Sequence, residues 1–250
     1  MQQRYCIEVA YCGSKYHGSQ SQINANTIQS ELEKALQIFY KQTFSLIGAS
    51  RTDKGVHALQ NFYHVDTAIN INHKQVYNIN SILPPDISIV NIYKTLPDFH
   101  ARFDALNREY KYFIHQFKDP FLNDRSWYFP YKISSSILND YASIILEAKD
   151  FTFFSKKGTM TQTSLCNIEK SLWNFDGKNI IYNVSANRFL RGMVRGLTAT
   201  MLNCARKKMP VIDFENLIQA KNNQKADFSA PSNGLYLCAI NYHHHSFQDL

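Results

Sequence analysis

The chain has 250 residues, of which 44% are hydrophobic and 19% are charged, so a buried core is expected and the composition is not that of a disordered protein. The 27 Lys and Arg against 20 Asp and Glu give a net charge of +7, which favours a polyanionic partner such as nucleic acid, with an ordinary basic enzyme as the alternative. The five cysteines form no C-x-x-C pair and no apolar run is long enough to cross a bilayer, so we expect a cytoplasmic protein without disulfides or a membrane partner.

The first half of the chain combines predicted strands with one predicted helix. Strands are expected at about residues 5–11, 62–65 and 87–93, from the alternation of apolar and polar residues. A helix capped by Asn26 or Thr27 is expected from about residue 28, because apolar residues there recur at helical spacing. The short connections suit an antiparallel sheet with helices on one face.

The second half has similar elements, so we expect an α+β fold with two halves, residues 1–104 and 105–250. Its strands are expected at about 108–114, 173–175, 180–184 and 235–242. The two middle strands form a predicted hairpin around Asp176–Gly177, a strong turn dipeptide. The longest helix of the chain is expected from about residue 187 to 207.

The stretch R-T-D-K-G-V-H-A at residues 51–58 sets one carboxylate between a guanidinium and a glycine turn. A buried charge is costly unless it is paired, so this pattern suits a reactive carboxylate better than a core. Arg51 can hold Asp53 ionised, and Gly55 allows a sharp turn with room for a substrate. A plain loop turn is the alternative, because D-x-G is common in turns.

Three arginines stand near the start of the predicted long helix. Arg188, Arg191 and Arg195 are spaced i, i+3 and i+7 and would therefore share one face. This face can bind phosphates, or one arginine can turn inward to pair Asp53, because a guanidinium binds either group through two hydrogen bonds. A solvated basic stripe is the alternative.

Other candidate substrate contacts combine aromatic and basic groups. Tyr110, on a predicted strand, is either a core residue or a ring that stacks on a flipped base. Arg102 and Arg108 flank it and would contact phosphates. Lys15 and His17 lie in a glycine-containing loop that can clasp a nucleic-acid backbone or form plain surface.

The sequence carries no motif for a nucleotide, metal or redox cofactor. The Walker loop, G-x-G-x-x-G, H-E-x-x-H and G-x-S-x-G are all missing. We therefore expect chemistry without cofactor or metal, with one carboxylate as covalent nucleophile or as base. A metal-dependent hydrolase, another possibility, would need a cluster of ligand residues that the sequence does not show.

Several motifs in order resemble the tRNA pseudouridine synthase A family, and the resemblance runs nearly end to end. The stretches that carry it are 11–18 (Y-C-G-S-K-Y-H-G), 51–58, 83–87 (L-P-P-D-I), 99–103 (F-H-A-R-F), Arg108 with Tyr110 and Tyr112, 189–190 with 193–195, and 234–235. The R-T-D-x-G-V-H-A string is highly specific. Ser19 and Asn167 depart from the pattern, since the family often has tryptophan and arginine there.

The resemblance implies an isomerase that converts uridine to pseudouridine at positions 38–40 in the anticodon stem-loop of tRNA. It also implies a homodimer and a pseudouridine synthase fold, in which two α+β halves share a mainly antiparallel sheet around a central catalytic cleft.

The resemblance further implies roles for single residues. Asp53 is similar to the catalytic aspartate, Arg195 to its basic partner with Arg51 beside it, and Tyr110 to the ring that stacks on the target base. Whether Asp53 first attacks the base or the sugar, or removes a proton, stays open. The alternative function is a tRNA-binding or RNA-folding protein without turnover, in which Asp53 only braces the cleft.

Overall fold

The structure, a computed structural model, describes residues 2–155, 163–177 and 179–249. By its contacts the chain forms two compact units, one from Met1–Leu106 with Tyr236–Leu250 and the other from Asn107–Leu235. The sequence prediction placed everything after residue 104 in one half, whereas these contacts assign the last strands to the first unit. The α+β class with mainly antiparallel pairing is confirmed within each unit.

The first unit contains most of the strands. They are β1 (Gln3–Tyr11), β2 (Ile47–Gly48), β3 (His57–Thr67), β4 (Ile87–Lys94), β9 (Leu235–Asn241) and β10 (Gln248–Asp249). Their order is β10–β4–β1–β3–β9, with β2 also on β3, and every pair is antiparallel except β3 with β9. The predicted alternation of β1 holds from Ile7 onward, where buried residues alternate with partly buried ones. It fails at Cys6, which is buried like its neighbours Tyr5 and Ile7. The register with β3 shifts between Val9 and Tyr11, where β3 contributes one extra residue.

Two helices belong to the first unit, α1 (Ile28–Tyr40) and α2 (Val76–Asn80). The cap of α1 is Thr27, one of the two predicted residues, and its hydroxyl accepts the Ser30 amide while the Ser30 hydroxyl accepts the Thr27 amide. This capping box fixes where the loop before α1 ends. The structure adds α2, which the sequence analysis did not predict.

The second unit packs helices against a smaller sheet. Its strands are β5 (Asn107–His115), β6 (Trp127–Tyr128), β7 (Ile168–Asp176) and β8 (Asn179–Ala186), and its helices are α3 (Ser135–Glu147), α4 (Met193–Arg206) and α5 (Val211–Gln219). The predicted hairpin at Asp176–Gly177 is confirmed as β7–β8, and β8 also pairs with β5. Tyr141 of α3 stacks on Phe214 of α5 at 4.2 Å, so these helices share one core. No helix in the described ranges is long and apolar enough to span a membrane.

The predicted start of the long helix is wrong. Helix α4 begins at Met193, and Gly192 before it has φ 71°, a left-handed conformation that breaks the helical path. Arg188 and Arg191 therefore lie in the loop between β8 and α4, and only Arg195 lies on the helix. The argument that the three arginines share a helix face does not hold.

Candidate active site

Asp53 lies in a tight turn between β2 and β3. The Val56 amide donates to the Asp53 carbonyl over 3.2 Å, and Gly55 has φ 80°, which a side chain would strain. Asp53 is half-buried and Arg51 is exposed. The sequence prediction of a sharp glycine turn around this carboxylate is confirmed in its geometry.

The loop between β1 and α1 approaches this turn closely through two glycines. A Cβ atom on Gly13 would lie 1.9 Å from the Val56 carbonyl oxygen, and one on Gly18 would lie 2.7 Å from the Thr52 carbonyl oxygen. The Gly13 amide donates to Nδ1 of the buried His57 over 3.2 Å, so the neutral ring carries its proton on Nε2. Both glycines are therefore required by the closeness of the two loops.

Ser19 holds the backbone on both sides of Arg51. Its buried hydroxyl accepts the Thr52 amide over 2.8 Å and donates to the Ser50 carbonyl over 3.3 Å. The Ser50 carbonyl also accepts from the Asn61 amide group over 3.1 Å. This buried network fixes the loop just before Asp53.

Tyr11, on β1, also supports the loop just before Asp53. Its hydroxyl lies 2.9 Å from the Thr52 hydroxyl and accepts from Asn61 over 3.2 Å. Burial raises the pKa of Tyr11 to about 12, against the opposing effect of its hydrogen bonds, so the phenol stays neutral at physiological pH. The Tyr11 hydroxyl therefore connects β1 to the loop that carries Asp53.

The two predicted substrate contacts in the glycine loop differ in their surroundings. Lys15 makes a 3.3 Å ion pair with Asp86, which also accepts from the Tyr16 hydroxyl over 2.5 Å. Burial raises the pKa of Asp86, but the hydrogen bonds from Tyr16 and Lys15 outweigh it and hold the pKa below its ordinary value. Lys15 is thus already paired with a carboxylate of the protein, while the side chain of His17 is exposed.

A cavity of about 210 Å³ lies beside the Asp53 turn, within the first unit. Arg51 and Arg102 both line it, so the structure brings these two predicted residues to one place. Ser19 lines it as well, which connects the cavity to the hydrogen bonds that fix the loop.

In the second unit Tyr110 and Arg108 meet the loop that carries the arginines. Tyr110 lies on β5, is buried, and meets the ring of Phe189 edge-on at 5.2 Å. Arg108 donates through Nη1 to the Asn187 carbonyl over 2.8 Å. The structure therefore places Tyr110 and Arg108 beside the Arg188 segment.

Arg195 is anchored near the start of α4. Its Nε donates to the Ala230 carbonyl over 2.6 Å and its Nη2 to the Phe228 carbonyl over 3.5 Å. A guanidinium has five N–H donors, so these two bonds orient the group without exhausting it. Arg195 is half-buried, a setting in which a guanidinium can hold a carboxylate.

Sequence reasoning missed the residues that support the loop. It noticed Ser19 only as a departure from a family pattern, and it placed Tyr11 on a strand without a role. Neither has a local signal, since both act through contacts with residues more than 30 positions away. In the described part of the chain no group of three or more His, Cys, Asp or Glu side chains is placed to hold a metal ion.

Comparison with known proteins identifies the family of the chain. A family model described as tRNA pseudouridine synthase matches residues 148–243, which include the Arg188 loop and α4. The Asp53 turn lies outside that match and is covered by relatives of full length.

Three curated relatives illustrate the similarity. Each bears the name tRNA pseudouridine synthase A. The protein from Bacteroides fragilis is 38% identical over 98% of this chain and 99% of its own length. The one from Azobacteroides pseudotrichonymphae is 37% identical over 96% of both chains. The one from Staphylococcus aureus is 33% identical over 94% of this chain and 89% of its own length. The chain therefore belongs to the tRNA pseudouridine synthase A family.

Proposed function

We propose that the protein isomerises uridine to pseudouridine in tRNA, at positions 38–40 of the anticodon stem-loop, with Asp53 as the catalytic carboxylate. Family membership supports the reaction and the tRNA substrate. The observation that carries the role of Asp53 is its turn, in which a half-buried carboxylate follows a backbone held by Ser19, Tyr11 and Gly13. Such fixed positioning is what a reacting group requires.

The chemistry matches a lone carboxylate. The N1–C1′ bond of uridine breaks, a C5–C1′ bond forms, the hydrogen on C5 leaves as a proton and N1 gains one. Atoms and electrons balance without an oxidant or reductant. The part of Asp53 is to act on the base, the sugar or the C2′ proton.

Arg195 and Arg51 are the proposed basic partners that keep Asp53 ionised. The two backbone carbonyls that accept from Arg195 would hold its guanidinium in one defined orientation. Tyr110 is the proposed ring that stacks on the target base, and its edge contact with Phe189 would restrict its rotation.

The remaining predicted residues are proposed as RNA contacts. Arg102 and Arg108 would contact phosphates near the site, and Arg188 and Arg191 would do so from their loop. Lys15 and His17 would contact the backbone from the glycine loop, with Lys15 exchanging its bond to Asp86 for a phosphate. A homodimer and a cytoplasmic location complete the proposal.

The test compares Asp53→Asn with Asp98→Asn, a change at an exposed aspartate of the same unit. Tritium release from C5 of uridine in tRNA measures turnover, and a fluorescence titration measures tRNA affinity. Asp53→Asn should lower the single-turnover rate by about 100-fold or more. Its tRNA affinity should be unchanged or higher, since one negative charge near phosphates is removed. Asp98→Asn should behave as wild type.

Two outcomes contradict the proposal. If Asp53→Asn releases tritium at the wild-type rate, Asp53 has no part in the mechanism. Wild-type protein that binds tRNA but releases no tritium supports the alternative of a binding protein without turnover.

A further inference from the structure

The roles assigned so far do not say which part of the RNA would fill the cavity beside the Asp53 turn. Its volume of about 210 Å³ is well above the roughly 30 Å³ share of one water molecule and below the roughly 300–1,000 Å³ of a pocket for a whole drug-sized ligand. Among the described residues that line it, two are arginines and none is Asp or Glu. It suits one anionic segment of a longer molecule.

A second cavity of the first unit has a different lining. It is similar in volume, about 220 Å³, and lies between α1 and the segment that follows α2. Its lining has one acidic and one basic side chain, Glu31 and Lys34, and is otherwise apolar. A positive lining therefore distinguishes the cavity next to Arg51 from this second cavity of similar size.

The rim of the positive cavity carries an exposed aromatic ring. Phe103 lines it with 72% of its surface exposed, and the His100 ring lies 4.3 Å from it at a 36° tilt. The guanidinium of Arg102 lies 5.6 Å from the ring centre. An aromatic ring next to a guanidinium is a surface on which an unpaired base stacks.

The turn that presents Phe103 is fixed. The Phe103 amide donates to the His100 carbonyl over 3.1 Å, and the Ala101 amide donates to Nδ1 of the buried His64 over 3.2 Å. The Tyr242 hydroxyl donates to the carbonyl of the buried Ala101. The ring therefore stands on a rigid support, which lowers the entropy lost when a ligand binds to it.

We propose that this cavity binds one unpaired nucleotide of the RNA that flanks the reacting uridine, with its base on Phe103 and its phosphate beside Arg102. The inference rests on the proposed function and adds to it a second nucleotide site. Phe103 would then help to choose which loop nucleotides of the tRNA are presented to Asp53. The reacting uridine itself keeps the contacts proposed for Tyr110.

The test uses an anticodon stem-loop RNA and four variants, Phe103→Ala, Phe103→Leu, Phe103→Trp and Phe121→Ala. Phe121 is a control, because it is 88% exposed and does not line the cavity. Phe103→Ala and Phe103→Leu should each weaken binding about 5- to 150-fold, the range for loss of one stacked base. Phe103→Trp should bind within about threefold of wild type, since a larger aromatic face remains. Thermal unfolding should be unchanged in all four, because both rings are exposed.

A scan of abasic nucleotides through the RNA loop locates the base. At one loop position, the abasic RNA should bind the wild-type protein as weakly as the intact RNA binds Phe103→Ala. Combining that abasic RNA with Phe103→Ala should lower the affinity by less than a further factor of two. The inference is overturned if Phe103→Ala binds intact RNA within twofold of wild type. It is also overturned if the two losses multiply at every position, or if Phe103→Ala lowers the oligomeric state, which would assign the ring to a second copy of the chain.

The outcomes separate this inference from the proposed function. If the wild-type protein forms pseudouridine and Phe103→Ala binds RNA normally, only the nucleotide site is refuted. If one abasic position and Phe103→Ala have non-additive effects on binding but the wild-type protein releases no tritium, only the isomerisation is refuted. Wild type that binds no tRNA refutes both.

Discussion

Replacing Gly13 by alanine should damage the reaction while leaving tRNA binding in place. Gly13 does not have a positive φ, so alanine fits its own backbone and the change tests only the space around it. The added Cβ would lie 1.9 Å from the Val56 carbonyl oxygen, whereas real Cβ atoms stay at least 3.0 Å away. The neighbouring backbone must therefore move by about 1 Å or more.

The movement reaches Asp53 through one hydrogen bond. The Val56 amide donates to the Asp53 carbonyl, so displacing Val56 displaces the turn that presents the carboxylate. A shift of about 1 Å in a reacting group costs roughly 100-fold in rate. Overpacking of this kind costs about 1–3 kcal/mol of stability, which corresponds to a fall of roughly 2–12 °C in Tm for a chain of this size.

The assay is single-turnover tritium release with saturating protein, together with tRNA affinity and thermal unfolding. Gly177→Ala is the matched control, because Gly177 has φ 56° and an added Cβ there meets nothing within 4 Å. It should lose about 1 kcal/mol through backbone strain and keep the wild-type rate. Gly13→Ala that folds and reacts at the wild-type rate would refute the claim that the close loop contact positions Asp53.

Three further predictions concern stability and binding. Ser19→Ala leaves the buried Thr52 amide without its acceptor and should cost about 1–3 kcal/mol in urea unfolding; an unchanged midpoint would show that the hydroxyl is not needed. Burial, then the positive charges of His100 and Arg4, lower the pKa of His64 to about 4, so the unfolded chain binds the extra proton and stability should fall as the pH drops from 6.5 towards 4. His64→Gln, whose amide oxygen can still accept from Ala101, should flatten that profile in urea titrations; equal slopes in both proteins would contradict the assignment. Arg191→Ala should weaken tRNA binding and lower the slope of log K against log salt by about 1, while Arg206→Ala, a control at the far end of α4 whose guanidinium lies on Tyr131, should keep the wild-type slope.

The parts of the fold that local chemistry determines were predictable. A cap at Asn26 or Thr27 follows from two polar residues before an apolar helical pattern, and the structure selects Thr27. The β7–β8 hairpin follows from Asp176–Gly177. Helix α4 was extended too far because arginine spacing and apolar spacing both continue through residues 187–192, while Gly192 takes the left-handed conformation that ends the pattern. The five-residue helix α2 is too short to show a period.

The sequence singled out Asp53 as the proposed reactive residue, but it did not indicate which side chains support the loop before it. Asp53 stands out because a carboxylate in a glycine turn next to an arginine is an unusual local pattern. That pattern can be read from the sequence alone. The bonds of Ser19 to the Asp53 loop and the exposure of Phe103 depend on which distant segments meet, and no local pattern encodes that. The assignment of β9 to the first unit has the same origin, since parallel pairing with β3 joins residues far apart in the chain.

That pairing also has a consequence for how the chain folds during synthesis. Residues 107–235 form a continuous unit and can fold soon after they leave the ribosome. The first unit waits for β9 and β10, which emerge about 140 residues after β4. Until then the β3 edge at His57 and Ala58, just after the Asp53 turn, lacks its partner strand and can pair wrongly. The unit whose synthesis begins first is therefore completed last, and the unpaired edge of β3 next to the Asp53 turn stays exposed until β9 is made.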